Sequence, residues 1–296
     1  MSTRPTSWRH WGNTDFMATV KDNLLRASEL TESDSPRLDL EVLLCHLLGK
    51  SRAWLYTWPE HPLDEVQQAQ FERLLKRRIA GEPVAHLTGT REFWSLPLKV
   101  NRATLIPRPD TEVLVEAVLA LCPPEPLRLL DLGTGTGAIA LALAGEKPHW
   151  QITAVDRMPA AVALAEENRQ QLGFSNVEIL QSDWFAALAE RTFDVIVSNP
   201  PYIDPKDPHL REGDVRFEPL SALVAEEAGL ADIREIASAA RAHLTAGGLL
   251  AVEHGWDQGK AVRNIFSERG YSEVETRLDY AGRERITLGR FSGAHL

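Results

Sequence analysis

The sequence predicts an α/β fold, a mainly parallel sheet flanked by helices, with a small bundle of helices before it. Three observations predict this. From residue 127 onward, short apolar runs alternate with helix-like segments, the pattern of βαβ units feeding a parallel sheet. A glycine-rich run, Gly133-Thr134-Gly135-Thr136-Gly137, stands between the first apolar run and the helix-like segment after it. From about Phe16 to Gly81 the periodicity is helical, with no alternating strand pattern.

Ser35 followed by Pro36 predicts a helix start, a capping hydroxyl and then a proline at the first helical position. Leu40, Leu43, Leu44, Leu47 and Leu48 form one apolar stripe, which Gly49 ends. A second helix begins near Asp64. Its Phe71, Leu74, Leu75 and Ile79 share a face, and Gly81 with Pro83 stops it. This module carries no chemical motif and is expected to dock or orient a substrate. Residues 92–100 alternate around Leu96-Pro97, predicting a short β-hairpin. Strands are expected at 127–132, 152–155, 177–180, 195–197 and 249–252, with helices at 138–144, 159–172 and 231–244. The expected domains are an extension over 1–16, taken as disordered, a helical domain over 17–90, a hairpin linker over 91–107 and an α/β domain over 108–296.

Composition narrows the function. With 44% hydrophobic and 25% charged residues, the chain reads as an ordinary soluble globular protein. Its 296 residues allow one large domain or two smaller ones. Lys and Arg number 32 against 42 Asp and Glu, a net charge of −10. That balance argues against a broad grip on a phosphate backbone, which depends on basic side chains displacing counterions. Cys45 and Cys122 give neither a disulfide framework nor metal-ligand spacing, and the nine histidines show none. No metal is expected. No run approaches the roughly 20 apolar residues of a membrane span, and the first 16 residues lack the apolar core of a secretory signal. A cytoplasmic monomer with no membrane partner is expected.

The glycine run, preceded by Asp131-Leu132, follows a strand and opens a helix. Glycines let a backbone turn sharply and approach a ligand without a Cβ in the way. With Ala138 the run also fits the dinucleotide form, in which a pyrophosphate sits at the helix N-terminus. Asp131 would oppose two phosphate charges there. S-adenosylmethionine carries no phosphate, and its sulfonium and ammonium suit an acidic strand end, so charge favours it. Asp156 lies 19 residues beyond Gly137, at the end of the second strand. A carboxylate there can accept both hydroxyl hydrogens of a ribose, or cap the helix near Pro159. Trp184, after the third strand, offers an apolar face to an adenine ring or is a core residue. Asp183 beside it can bond the adenine amino group or cap a turn.

After the fourth strand comes Asn199-Pro200-Pro201-Tyr202. Two prolines fix φ and remove two backbone donors, freeing the carbonyls of Asn199 and Pro200 to face outward. The Asn199 side-chain oxygen and the Pro200 carbonyl can each accept one hydrogen of a planar –NH₂ group, and Tyr202 can lie on its flat face. The arrangement selects an amide or an aminopurine. No strong base accompanies it, so its expected work is orientation and electrostatics.

These motifs resemble the class I S-adenosylmethionine-dependent methyltransferases that act on planar amino groups. The wider chain, from about Met17 to Phe291, resembles the PrmC/HemK family, the glutamine N5-methyltransferases of peptide chain release factors. Gly81-Glu82-Pro83, Arg91-Glu92-Phe93-Trp94, Ile106-Pro107-Arg108-Pro109-Asp110-Thr111-Glu112 and Arg216-Phe217-Glu218-Pro219 carry that closer likeness. The resemblance implies a Rossmann-like, seven-stranded, mainly parallel sheet with an N-terminal helical domain. It implies that Gly133 to Gly137, Asp156, Trp184 and Asn199 contact S-adenosylmethionine, which leaves as S-adenosylhomocysteine. It implies that Asn199, Pro200, Pro201 and Tyr202 hold the glutamine of the Gly-Gly-Gln loop of class I release factors, the protein partner.

Arg108 can orient substrate or pair with Glu112. Residues 199–227 form a long, charged, proline-rich segment expected to help grip the release factor. His254 is expected to be structural. An adenine-N6 methyltransferase of DNA or RNA would use the same four-residue turn on a flipped base, but would want a basic groove, and no direct nucleic-acid substrate is expected. An NAD-binding or non-enzymatic domain would leave that turn unexplained.

Overall fold

The computed structural model describes residues 17–293. The extension expected over residues 1–16 lies outside them. The chain divides between Thr88 and Gly89 into two units.

The first unit holds helices α1 (Val20–Leu24), α2 (Pro36–Leu48), α3 (Arg52–Thr57), α4 (Glu65–Ile79) and α5 (Val84–Thr88). Leu40, Leu43 and Leu44 of α2 and Phe71 and Leu75 of α4 are buried together, as the periodicity predicted, whereas Ile79 is exposed. Asp64 accepts from the Gln67 N–H at 2.8 Å and the Gln67 side chain returns to the Asp64 N–H at 3.0 Å, a reciprocal cap. Ser35 holds the N-cap position of α2 without capping it. Its hydroxyl turns instead to Asp39, a buried carboxylate that also takes hydrogen bonds from Ser33 and Arg78. A buried acid needs donors more than a solvated helix end does.

The second unit begins with a hairpin, β1 (Thr90–Phe93) and β2 (Leu96–Lys99). Its turn is Trp94-Ser95, not Leu96-Pro97. Both turn residues have positive φ, 51° and 59°, the twist a two-residue hairpin loop requires. Pro97 lies inside β2 opposite Glu92, which a two-stranded sheet with free edges tolerates. Phe93 and Leu98 join the core of this unit.

After α6 (Glu112–Leu121) come β3 (Arg128–Leu132), α7 (Ala138–Glu146), β4 (Gln151–Asp156), α8 (Pro159–Leu172), β5 (Val177–Gln181), β6 (Phe193–Ser198), α9 (Ala231–Ala239), β7 (Leu244–Glu253), α10 (Gly259–Glu268), β8 (Tyr271–Leu278) and β9 (Glu284–Phe291). The sheet order is β5-β4-β3-β6-β7-β9-β8. β3 to β7 run parallel, and β9 is antiparallel to both neighbours. Both faces are covered: Leu129, Val195 and Val197 enter one core, Leu130 and Ile196 the other. α9 stops at Ala239, and a short 3₁₀ turn, Ala240–Ala242, leads into β7. The order of strands reverses between β3 and β6, so the chain leaves both strands on opposite sides of one crevice, where parallel sheets bind ligands. Among the described residues, no helix is long and apolar enough to cross a membrane.

Candidate active site

The glycine run turns away from β3 through left-handed backbone at Gly133, Gly135 and Gly137, with φ of 68°, 56° and 84°, a region glycine enters without strain. Three of its five N–H groups are spent inside the protein. Thr134 donates to the Val155 carbonyl at 2.9 Å, Gly135 to Asp156 Oδ2 at 3.0 Å and Gly137 to the Thr134 carbonyl at 2.9 Å. A phosphate loop needs those donors free and no carboxylate among them. The dinucleotide reading therefore does not fit this loop.

Asp156, at the end of β4, combines the two roles open to it. Its Oδ1 accepts from the Met158 N–H at 2.9 Å, ordering the start of α8, while the side chain lines the crevice. Asp131 does not. It is buried and accepts from the Thr134 hydroxyl at 2.6 Å. Burial pushes its carboxyl up to about 7, and the nearby Asp156 charge adds to the shift. The acidic lining assigned to Asp131 is supplied instead by Asp156, Asp183 and Asp232. Asp131 braces the loop from beneath.

Trp184 adopts φ 43°. Ser182 holds it there, its hydroxyl donating to the Trp184 carbonyl at 2.8 Å and accepting from the Ala187 N–H at 3.0 Å. The indole lies beside Gly133, where a Cβ would meet its ring at 3.5 Å. A cleft of about 940 Å³, its open mouth included, runs from these residues to Asn199 and Pro201. Gly133, Thr134, Gly135 and Thr136 line it, and Gly137 does not. Gly137 instead packs at the start of α7, where a Cβ would stand 3.0 Å from Leu141.

Asn199 donates its Nδ2 to the Thr111 hydroxyl at 3.2 Å, which leaves Oδ1 as an acceptor with no partner among the described residues. Pro200 is buried and outside the lining, and its carbonyl receives no hydrogen bond from a described residue. Tyr202 is also outside it. Its ring packs on the core, and its hydroxyl donates to Glu253 at 3.2 Å. The flat-face contact expected of Tyr202 is thus not what this conformation presents, because the buried Glu253 carboxylate claims the phenol.

The sequence model of the PrmC N-terminal domain matches residues 25–89, and that of the methyltransferase small domain matches residues 109–212. The chain is 62% identical to the release factor glutamine methyltransferase of Salmonella typhimurium over 265 residues, 90% of this chain and 96% of the relative. It is 60% identical to the protein of that name from Escherichia coli, covering 89% and 95%, and 55% to that of Pseudomonas aeruginosa, covering 91% and 98%. The chain belongs to the release factor glutamine methyltransferase family. Solved structures show the fold again. A methyltransferase from Pyrococcus furiosus superposes with a TM-score of 0.52 at 21% identity, covering 75% of this chain and all of its own. A 16S rRNA guanine methyltransferase of Thermus thermophilus, in complex with AdoMet and guanosine, gives 0.50 at 19%, covering 68% and 49%. The second unit is therefore a class I methyltransferase fold.

In this methyltransferase Arg108 pairs with Glu218 at 2.6 Å rather than with Glu112, whose carboxylate is taken by the Trp94 N–H at 2.9 Å. Arg108 lines the cleft, so the pair ties residues 199–227 to its wall. Burial raises the Glu218 carboxyl to about 7, with Arg108 opposing the shift. His254 is buried between the Gly255 carbonyl and the Thr287 hydroxyl, with its pKa lowered by burial, as a structural residue should be. Sequence reasoning missed Thr104, Asp232 and Glu253. Thr104 is buried against the cleft, its hydroxyl unpartnered among the described residues. No motif marks Thr104 or Asp232. Glu253 ends a strand beside His254, and that adjacency was the available signal.

Proposed function

We propose that this methyltransferase transfers a methyl group from S-adenosylmethionine to the side-chain amide N5 of the glutamine in the Gly-Gly-Gln loop of class I peptide chain release factors. The observation that carries the reading is the Asn199 amide, whose Nδ2 is committed to Thr111 so that Oδ1 is left to accept. A glutamine –NH₂ brings the donors it lacks. The Pro200 carbonyl takes the second hydrogen, and Pro201, a cleft-lining residue, limits the room around the group.

The cleft suits the donor. Asp156 sits where a ribose offers two hydroxyls, the Trp184 indole supplies an apolar face, and three carboxylates complement a cation. When bound, S-adenosylmethionine supplies an electrophilic methyl on a positively charged sulfur. The amide nitrogen is a weak nucleophile, so the chain's own contribution is orientation and charge. Asn199 Oδ1 and the Pro200 carbonyl strengthen as acceptors while that nitrogen gains positive charge. The names of the relatives support the release factor as acceptor. An adenine acceptor is not favoured, because a net charge of −10 offers duplex or single-stranded nucleic acid little grip.

Mass spectrometry of a class I release factor incubated with enzyme and S-adenosylmethionine tests this. One added methyl on the Gly-Gly-Gln glutamine is expected. Asn199→Ala is expected to lower kcat about 100-fold or more, as loss of a preorganised polar contact does, with donor affinity changed less than about threefold. Methylation of nucleic acid instead, or equal losses in turnover and donor binding, would refute the assignment.

A further inference from the structure

We infer that the Thr104 hydroxyl holds the amino-acid carboxylate of S-adenosylmethionine, so that Thr104 is a donor-binding residue and the cleft favours a donor carrying that carboxylate. The inference rests on the proposed function for the identity of the donor, and not for that of the acceptor.

Thr104 is fixed against the glycine loop by its neighbours. Asn101 Oδ1 accepts from the Ala103 N–H at 2.8 Å, closing a turn just before it. Asn168, buried on α8, fastens the end of β2 to the loop. Its Oδ1 accepts from the Lys99 N–H at 2.7 Å, and its Nδ2 donates to the carbonyls of Lys99 at 3.0 Å and Thr136 at 2.9 Å. A Cβ on Gly135 would stand 3.8 Å from the Thr104 Cβ. Both residues line the cleft.

The place fits one part of the donor. β3 lies between β4 and β6, so the glycine loop lies between Asp156, assigned to the ribose, and Asn199, where the methyl is delivered. One sulfur carries the ribose, the methyl and the amino-acid tail, so the tail belongs beside that loop. Its ammonium suits the acidic lining of Asp156, Asp183 and Asp232. Its carboxylate does not, and needs a hydrogen-bond donor. The Gly135 N–H is spent on Asp156. Thr134 spends its hydroxyl hydrogen on Asp131, and Ser182 spends its own on the Trp184 carbonyl. Arg157, next to Asp156 at the ribose end, reaches the Ser221 carbonyl at 3.4 Å. Arg108 is neutralised by Glu218 at 2.6 Å. Thr104 keeps its hydrogen.

Stability does not account for the hydroxyl. Thr104 is 2% exposed, and among the described residues its Oγ1 is the one buried hydroxyl oxygen without a hydrogen-bond partner. A buried polar group left unpaired destabilises a fold. Valine would fill the same space without that cost. A bound carboxylate supplies the missing partner, and a hydrogen bond to a charged acceptor is stronger than one between neutral groups.

Calorimetry on the full chain tests this with S-adenosylmethionine and its decarboxylated analogue, which keeps the sulfonium and the amine and lacks only the carboxylate. Wild type is expected to bind S-adenosylmethionine about tenfold or more tightly than the analogue. T104V is expected to lose about tenfold in affinity for S-adenosylmethionine and to change less than about twofold toward the analogue. T104S, which keeps the hydroxyl, is expected to stay within about threefold of wild type for both. Without ligand, T104V is expected to melt no lower than wild type, since it removes an unpaired buried group. Equal affinity of wild type for the two donors would overturn the inference. So would a T104V that keeps the preference, loses affinity for both donors alike or melts well below wild type. Donor binding as expected with no methyl on the release factor would overturn the proposed acceptor and leave Thr104 in its role. Failure of wild type to bind S-adenosylmethionine would overturn the donor reading, and this inference with it.

Discussion

At the scale of single residues, the donor site is decided by where carboxylates point. Asp156 accepts from both the Gly135 and Met158 N–H groups while facing the cleft, so it shapes the glycine loop as well as the cleft, and we propose that both hold the methyl donor. Asp156→Ala removes a charged acceptor and frees a loop N–H. Hydrogen bonds to charged groups contribute about 1.5–3 kcal/mol, so donor affinity should weaken about 10- to 150-fold by calorimetry. Unchanged affinity would remove Asp156 from the site. Asn199, Asp156 and Trp184, singled out from the sequence, do line the cleft, and each stands at or just beyond a strand end beside a distinctive neighbour. Asp131 was misread because a strand's period does not say whether its last polar side chain turns to the cleft or under the loop, and Thr134 decides that. Glu253 and Tyr202 meet only when β7 lies beside β6. Their positions, 51 residues apart, carry no local sign of it.

At the scale of elements, the Asn199 turn is held from behind by a segment with no sequence signature. Glu227 and Ala228 take left-handed backbone at φ 56° each, and Gly229 follows at 81°. A Cβ on Gly229 would stand 2.0 Å from the Tyr202 carbonyl oxygen, to which Gln258 also donates at 3.0 Å. Backbone cannot yield there as a side-chain tip can. Gly229→Ala should therefore displace Tyr202, lowering the melting temperature by several degrees and kcat about tenfold or more. A variant with wild-type melting and turnover would show that the turn does not depend on this seat. The inner strands β3, β4, β6 and β7 were legible because both faces are covered, which writes near-continuous apolar runs, and the edge strand β5 through Val177, Ile179 and Leu180. β8 and β9 were expected only through the family likeness. β8 is an edge strand with exposed Ser272, Glu273, Glu275 and Arg277, charged as a sheet edge needs to be, and so it reads as loop. The hairpin turn was misplaced because Pro97 attracts a turn prediction, whereas Trp94-Ser95 is an unusual pair for positive φ.

At the scale of the whole molecule, the two units carry separate cores, and every residue lining the cleft belongs to the second. Among the described residues, the first unit supplies no side chain to that lining. It does expose Leu25, Tyr56, Trp58 and Val66, large apolar residues of the kind that anchor protein contacts, and its expected work is docking. The fragment 89–296 should accordingly fold cooperatively and bind S-adenosylmethionine within about threefold of the full chain. Its kcat/KM for release factor should fall about 100-fold, mainly through KM, because binding remote from the chemistry is what it loses. Turnover at saturating factor should then recover much of the full-chain value. Loss of donor binding would mean that the cleft is not complete within the second unit. Undiminished kcat/KM would mean that the acceptor is recognised wholly by the cleft and the segment 199–227, leaving the helical unit without the docking role argued for it.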